Sequence, residues 1–103
     1  RLNYDWVWNN CGFEARNKPY YKYSQLEFYV VHADYIASLG SGTIGLINEN
    51  KIYTPESIIN GPLHTLNFVM NHEMLHAQTH TREDPLNHSP IFNYCDKLTD
   101  ITW

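Results

Sequence analysis

Between Pro62 and Asp84 the chain has neither glycine nor proline, and in the middle of that run stands His72-Glu73-Met74-Leu75-His76. Asn60-Gly61-Pro62 is a helix start signal with proline at the first helical position, and Asp84-Pro85 marks a loop. The run therefore predicts one helix from about Pro62 to His80. On a helix the two histidines share a face, about 6 Å apart along the axis. Two imidazoles so placed can reach one Zn²⁺ through bonds of about 2.0–2.1 Å. Glu73 points to the side of such a metal, where it is badly placed as a ligand and well placed to take a proton from a water. With this chain's own histidine and glutamate frequencies, the pattern arises by chance in about two of a hundred such chains. The competing reading is a surface helix with two unrelated histidines, and the apolar residues on most sides of the motif argue against it.

A chain of 103 residues supports one domain with one core, spanning residues 1–103. Apolar residues make up 43% and charged residues 17%, the balance of a globular protein rather than a disordered one. The net charge of −4 argues against a nucleic-acid surface, which would need a basic stripe. No apolar run approaches the ~20 residues of a membrane span. No signal-peptide pattern is visible, so the cytoplasm is the expected compartment. Cys11 and Cys95 are too few for a disulfide scaffold. The expectation is two reduced, mostly buried thiols, with one bridge between the two ends of the chain as the alternative.

Ahead of the long helix the chain reads as short strands. Residues 1–24 are aromatic and rich in asparagine, and Tyr4, Trp6 and Trp8 share the parity of a strand. An irregular wrap or a short helix fits that segment equally well, and Asn9-Asn10-Cys11-Gly12 reads as a turn. Leu26 to Val31 predicts a strand, and His32 to Leu39 a connecting turn or one short helix, before Gly40-Ser41-Gly42 breaks the chain. Thr43–Ile47 and Lys51–Thr54 predict two strands joined by Asn48-Glu49-Asn50. Near the end, Ser89-Pro90 predicts a capped helix from Pro90 to about Thr99, with Ile91, Phe92, Cys95 and Leu98 on its buried face. The predicted fold class is α+β, with a small mixed or antiparallel sheet packed on a central zinc-binding helix.

A catalytic zinc takes three protein ligands and keeps one position open. The downstream candidates for the third are His80, Glu83, Asp84, His88, Asp96 and Asp100. His80 lies roughly 12 Å of helix rise from His72, so a straight helix cannot bring all three to one metal. Its expected role is to support the site or stabilise the transition state. A metzincin is excluded, because Thr79 and Arg82 stand where its extended motif has Gly and His. No glutamate follows Glu83 to serve from a later helix. His88, just before the capped helix, is the expected third ligand, with Asp84 or Glu83 as substitutes. His32 and His64 fit no site by spacing and read as ordinary polar histidines.

His72-Glu73-x-x-His76, a loop, and His88-Ser89-Pro90-x-Phe92 together resemble the SprT-like metallopeptidases and their small bacterial relatives of YgjP type. Gly42 to Ile47 and Lys51 to Pro55 resemble the paired strands before the zinc helix in these and other gluzincin-like folds. The resemblance covers about half the chain, from Gly40 to Leu98. It implies a minimal zincin-type metallopeptidase domain, zinc held by His72, His76 and His88, and Glu73 as general base. SprT-like proteins often carry additional DNA- or partner-binding segments that this acidic chain lacks, so DNA-linked proteolysis is not implied.

The expected activity is zinc-dependent hydrolysis of a peptide or protein, with Glu73 passing a proton from the attacking water to the leaving amine. Tyr94 or His80 is the expected additional donor to the oxyanion, although plain packing also accounts for Tyr94. One of the two short strands is expected at a sheet edge, where an extended peptide could add to it. Two alternatives remain open: a structural zinc closed by a fourth ligand, such as Asp84 or His80, and a lapsed protease acting as a binding module. A structural site has no need of a glutamate beside the first histidine.

Overall fold

The computed structural model describes residues 1–11, 18–38, 45–80 and 90–103. Among these the chain forms α1 (Leu2–Asn10), β1 (Glu27–Val31), α2 (Ala33–Ser38), β2 (Leu46–Asn48), β3 (Lys51–Pro55), α3 (Glu56–Ile59), α4 (Leu63–Thr79) and α5 (Pro90–Thr102). The result is a small α+β fold with a three-stranded mixed sheet, as the residue patterns predict. No helix among the described residues is long and apolar enough to cross a membrane.

α4 is the axis of the molecule. Pro62 caps its start in an extended conformation, and His80 ends it by entering the left-handed region at φ 53°. The His80 N–H then bonds the His76 carbonyl. From Glu73 to Gln78 every residue of α4 is buried, so the helix is covered on all sides rather than along one stripe. α1 and α5 pack along it, and the sheet reaches it through β2. The backbone of Tyr20 and Tyr21 satisfies its last carbonyls: their N–H groups donate to the carbonyls of Gln78 (3.0 Å) and Ala77 (3.2 Å).

The strand order is β1-β3-β2. β3 lies in the middle, parallel to β1 with Glu27 opposite Lys51 and Val31 opposite Pro55. It is antiparallel to β2, with Ile47 opposite Ile52. Along β3, Ile52 and Thr54 are buried and Tyr53 is half-buried, the alternation of a sheet covered on one face. β1 is a strand as predicted, but Phe28, Tyr29 and Val30 are exposed on it. The predicted strand from Thr43 to Ile47 begins outside the described residues; the part described is β2.

The aromatic N-terminal segment resolves as helix α1. Tyr4, Val7 and Cys11 recur at helical spacing and are buried, and this face overrides the strand parity of Tyr4, Trp6 and Trp8. They join Leu26 just before β1, Ile47 and Ile52 of the sheet, Met74, Leu75 and Ala77 of α4, and Phe92 and Cys95 of α5 in one core.

The expectation of two reduced thiols is overturned. Cys11 and Cys95 form a disulfide with their Cα atoms 5.4 Å apart, well within the range a bridge requires. Cys11 continues the buried face of α1, and Cys95 lies on the face of α5 with Phe92 and Thr99. Two inward-facing cysteines from opposite ends of the chain thus meet in the core.

Candidate metal centre

α4 aims both motif histidines at one point. Their Nε2 atoms are 3.2 Å apart, with the ring planes at 72°. Two nitrogens bound tetrahedrally to one zinc at about 2.0–2.1 Å would stand about 3.3 Å apart. The pair therefore already has the spacing of two zinc ligands.

α5 orients the first of them. Asp96 Oδ1 lies 3.2 Å from His72 Nδ1. An ionised carboxylate can only accept, so Nδ1 carries the proton and the lone pair sits on Nε2, directed at the point shared with His76. Phe92, one turn earlier on α5, covers both rings, its centroid 4.4 Å from that of His76 and 5.3 Å from that of His72. His76 is only 1% exposed, whereas the His72 side chain keeps 18%, so the centre opens to solvent on the His72 side.

Glu73 is 2% exposed. Desolvating a carboxylate costs several kcal/mol, which its partners must offset. Gly45, the residue that leads into β2, passes beside Glu73. A Cβ placed on Gly45 would lie 2.8 Å from Val69 Cγ1 and 3.7 Å from Glu73 Oε1. Glycine at this position lets the strand backbone approach the helix beside the carboxylate.

Asn71, buried next to His72, ties three helices together. Asn3 Nδ2 of α1 donates to its Oδ1 at 2.9 Å, and its own Nδ2 donates to Thr99 Oγ1 of α5 at 3.3 Å. Thr99 in turn donates to the Cys95 carbonyl at 2.8 Å.

His72 and His76 are thus brought together as their spacing requires, and Glu73 is buried on the same helix beside Gly45. His88, Glu83 and Asp84 lie outside the described residues. Among the described residues, no group of three or more metal-ligating side chains comes together. His80, expected to support the centre, is at the left-handed end of α4. Its ring stacks on Tyr20 with centroids 3.8 Å apart and meets the edge of Tyr21. Tyr94, expected as an oxyanion donor, is 54% exposed on the side of α5 turned away from Phe92 and Asp96. Asp96, a ligand candidate by its position in the sequence, instead contacts the His72 ring from behind, on the Nδ1 side. No spacing in the sequence points to this contact, because it depends on how α5 packs against α4. His64 pairs with Asp100 at 3.2 Å on the surface.

No family model matches the chain, and no curated protein or solved structure matches it.

Proposed function

We infer that this chain is a zinc-dependent metallopeptidase of the SprT-like type. One observation carries the reading: two imidazole nitrogens converge at ligand spacing, with a carboxylate behind one of them and a buried glutamate between them in sequence. His72 and His76 would hold the metal, and His88 is proposed as the third ligand. When bound, zinc supplies Lewis acidity, which acidifies a water and polarises a carbonyl.

The chain's own residues provide the rest. The Glu73 carboxylate accepts a proton from the attacking water and returns it to the leaving amine nitrogen. Asp96 keeps the His72 proton on Nδ1 throughout. Phe92 excludes water from the far side of the histidine pair. Because β3 is central, β2 is the predicted hairpin strand left at an edge, and it is also the strand packed on α4. An extended peptide adding to β2 would lie alongside Glu73. The bridge in the core bears on location: disulfides persist in oxidising surroundings, so we place the chain outside a reducing cytosol, unlike the expectation from its missing signal-peptide pattern.

The test is metal content and peptide hydrolysis on protein never exposed to chelator, for wild type and Glu73→Gln. Both chains should carry one zinc, and the variant should lose at least about 10²-fold in kcat. Full turnover in a zinc-loaded Glu73→Gln protein would remove Glu73 from the mechanism. Zinc that is present but inert in wild type would mark a structural or lapsed site.

A further inference from the structure

The disulfide sits one residue from the carboxylate that orients His72. α1 and α5 are each attached to α4 by their own polar bonds. α1 is held through Asn3 on Asn71, and α5 through Thr99 on the same Asn71 and through Asp96 on His72. Between α1 and α5 themselves, the covalent bridge and an edge-on contact of Trp6 with Trp103 (5.7 Å) close the third side of the triangle. Both cysteines are buried, Cys11 at 0% and Cys95 at 1%. On one helix the position of Cys95 sets the height and rotation of residues a turn away, here Phe92 and Thr99, and of its neighbour Asp96.

The geometry points to a second role for the bridge, as a positioning device of the metal centre, and this role rests on the metallopeptidase reading of the histidine pair. The bridge sets the rotation of α5 so that the Asp96 carboxylate meets His72 Nδ1 and Phe92 covers both imidazoles. Opening it frees that rotation while Asn71 still ties the helices together, so zinc affinity falls before the fold does. The opening is a two-electron reduction by a phosphine. The S–S bond breaks, each sulfur ends with a proton, and the phosphine leaves as its oxide with oxygen taken from water. The redox state of a buried bond is thereby coupled to occupancy of the metal centre.

Zinc affinity, read by competition with a chromophoric chelator, tests this in four chains: wild type and Asp96→Asn with the bridge oxidised, and the bridgeless Cys11→Ala/Cys95→Ala variant with and without Asp96→Asn. Circular dichroism on the same samples reports the helices. Loss of the orienting carboxylate should weaken zinc by about 10–100-fold. The double alanine chain should fall by a similar factor with its helices kept. Adding Asp96→Asn to it should cost less than about threefold more, because both changes act on one contact. Wild-type affinity in a helical double alanine chain overturns the proposal, and so does a full multiplicative loss in the combined chain. Should the double alanine chain not fold, wild type treated with phosphine is followed in time. Zinc release ahead of the loss of helix signal supports the role, and release only in step with it refutes it. An oxidised wild type that takes up no zinc would remove the metal reading itself.

Discussion

At Gly45 a single added carbon has nowhere to go. Val69, the side chain it would meet at 2.8 Å, is itself buried and β-branched, so it cannot swing aside cheaply. Gly45→Ala should cost about 1–3 kcal/mol in urea unfolding. If the chain is the peptidase proposed, it should also lower kcat, because the displaced segment is the one beside Glu73. Lost stability with unchanged kcat would mean that β2 yields without disturbing the carboxylate. Tyr4 makes a different prediction. Its hydroxyl donates to the Tyr21 carbonyl, and its pKa is pushed up to about 12, first by burial and then by the charge of Asp5. The unfolded chain ionises this phenol near its usual value of about 10, so the native state holds the proton longer. The contribution is complete below about pH 10 and is lost as pH rises toward about 12. Unfolding free energy measured on either side of that window should fall in wild type, and Tyr4→Phe should lack that part of the slope.

Among the elements, those with local signals were legible. Gly61-Pro62 opens α4, the absence of glycine and proline lets it run, and Ser89-Pro90 heralds α5, which extends a turn beyond its expected end. The hairpin of β2 and β3 was legible from Asn48-Glu49-Asn50, although its turn places Glu49 at φ 55°, where a side chain is strained. Glu49→Gly should therefore raise stability by about 1 kcal/mol in thermal or urea unfolding. An unchanged or lowered value would show that the hairpin gains elsewhere from the glutamate. α1 was not legible as helix, because its aromatics satisfy two periods at once and only the core decides between them. β1 was legible as a strand but not as an exposed one. Composition reports that Phe28 and Val30 are apolar, whereas exposure depends on what the rest of the chain leaves uncovered.

For the whole molecule, the least legible feature is the one that joins its ends. Nothing in the spacing of two cysteines says that α1 and α5 flank the same helix, and the same blindness hid Asp96 behind His72. Both are facts of tertiary packing. By contrast, the histidine pair and Glu73 were readable because one helix carries all three. The bridge has a sequence separation of 84 residues, and chain-entropy reasoning gives it about 4–5 kcal/mol through the unfolded state. Domains of this size have about 5–15 kcal/mol in total. Urea unfolding with and without phosphine should differ by that amount, and a difference under about 1 kcal/mol would mean the reduced unfolded chain stays compact.

The same closure decides how the protein meets mechanical load. Tension applied at Arg1 and Trp103 runs along α1, across the Cys11–Cys95 bond and out through the end of α5. The sheet, α4 and the histidine pair lie off that line. With the bond intact, a single-molecule pull can extend only the two short ends, roughly 65 Å of contour, against roughly 370 Å once it is cut. The histidine pair of this protein is shielded from traction because it sits inside a covalent ring, whereas Asp96 stands one residue outside it and takes the load first.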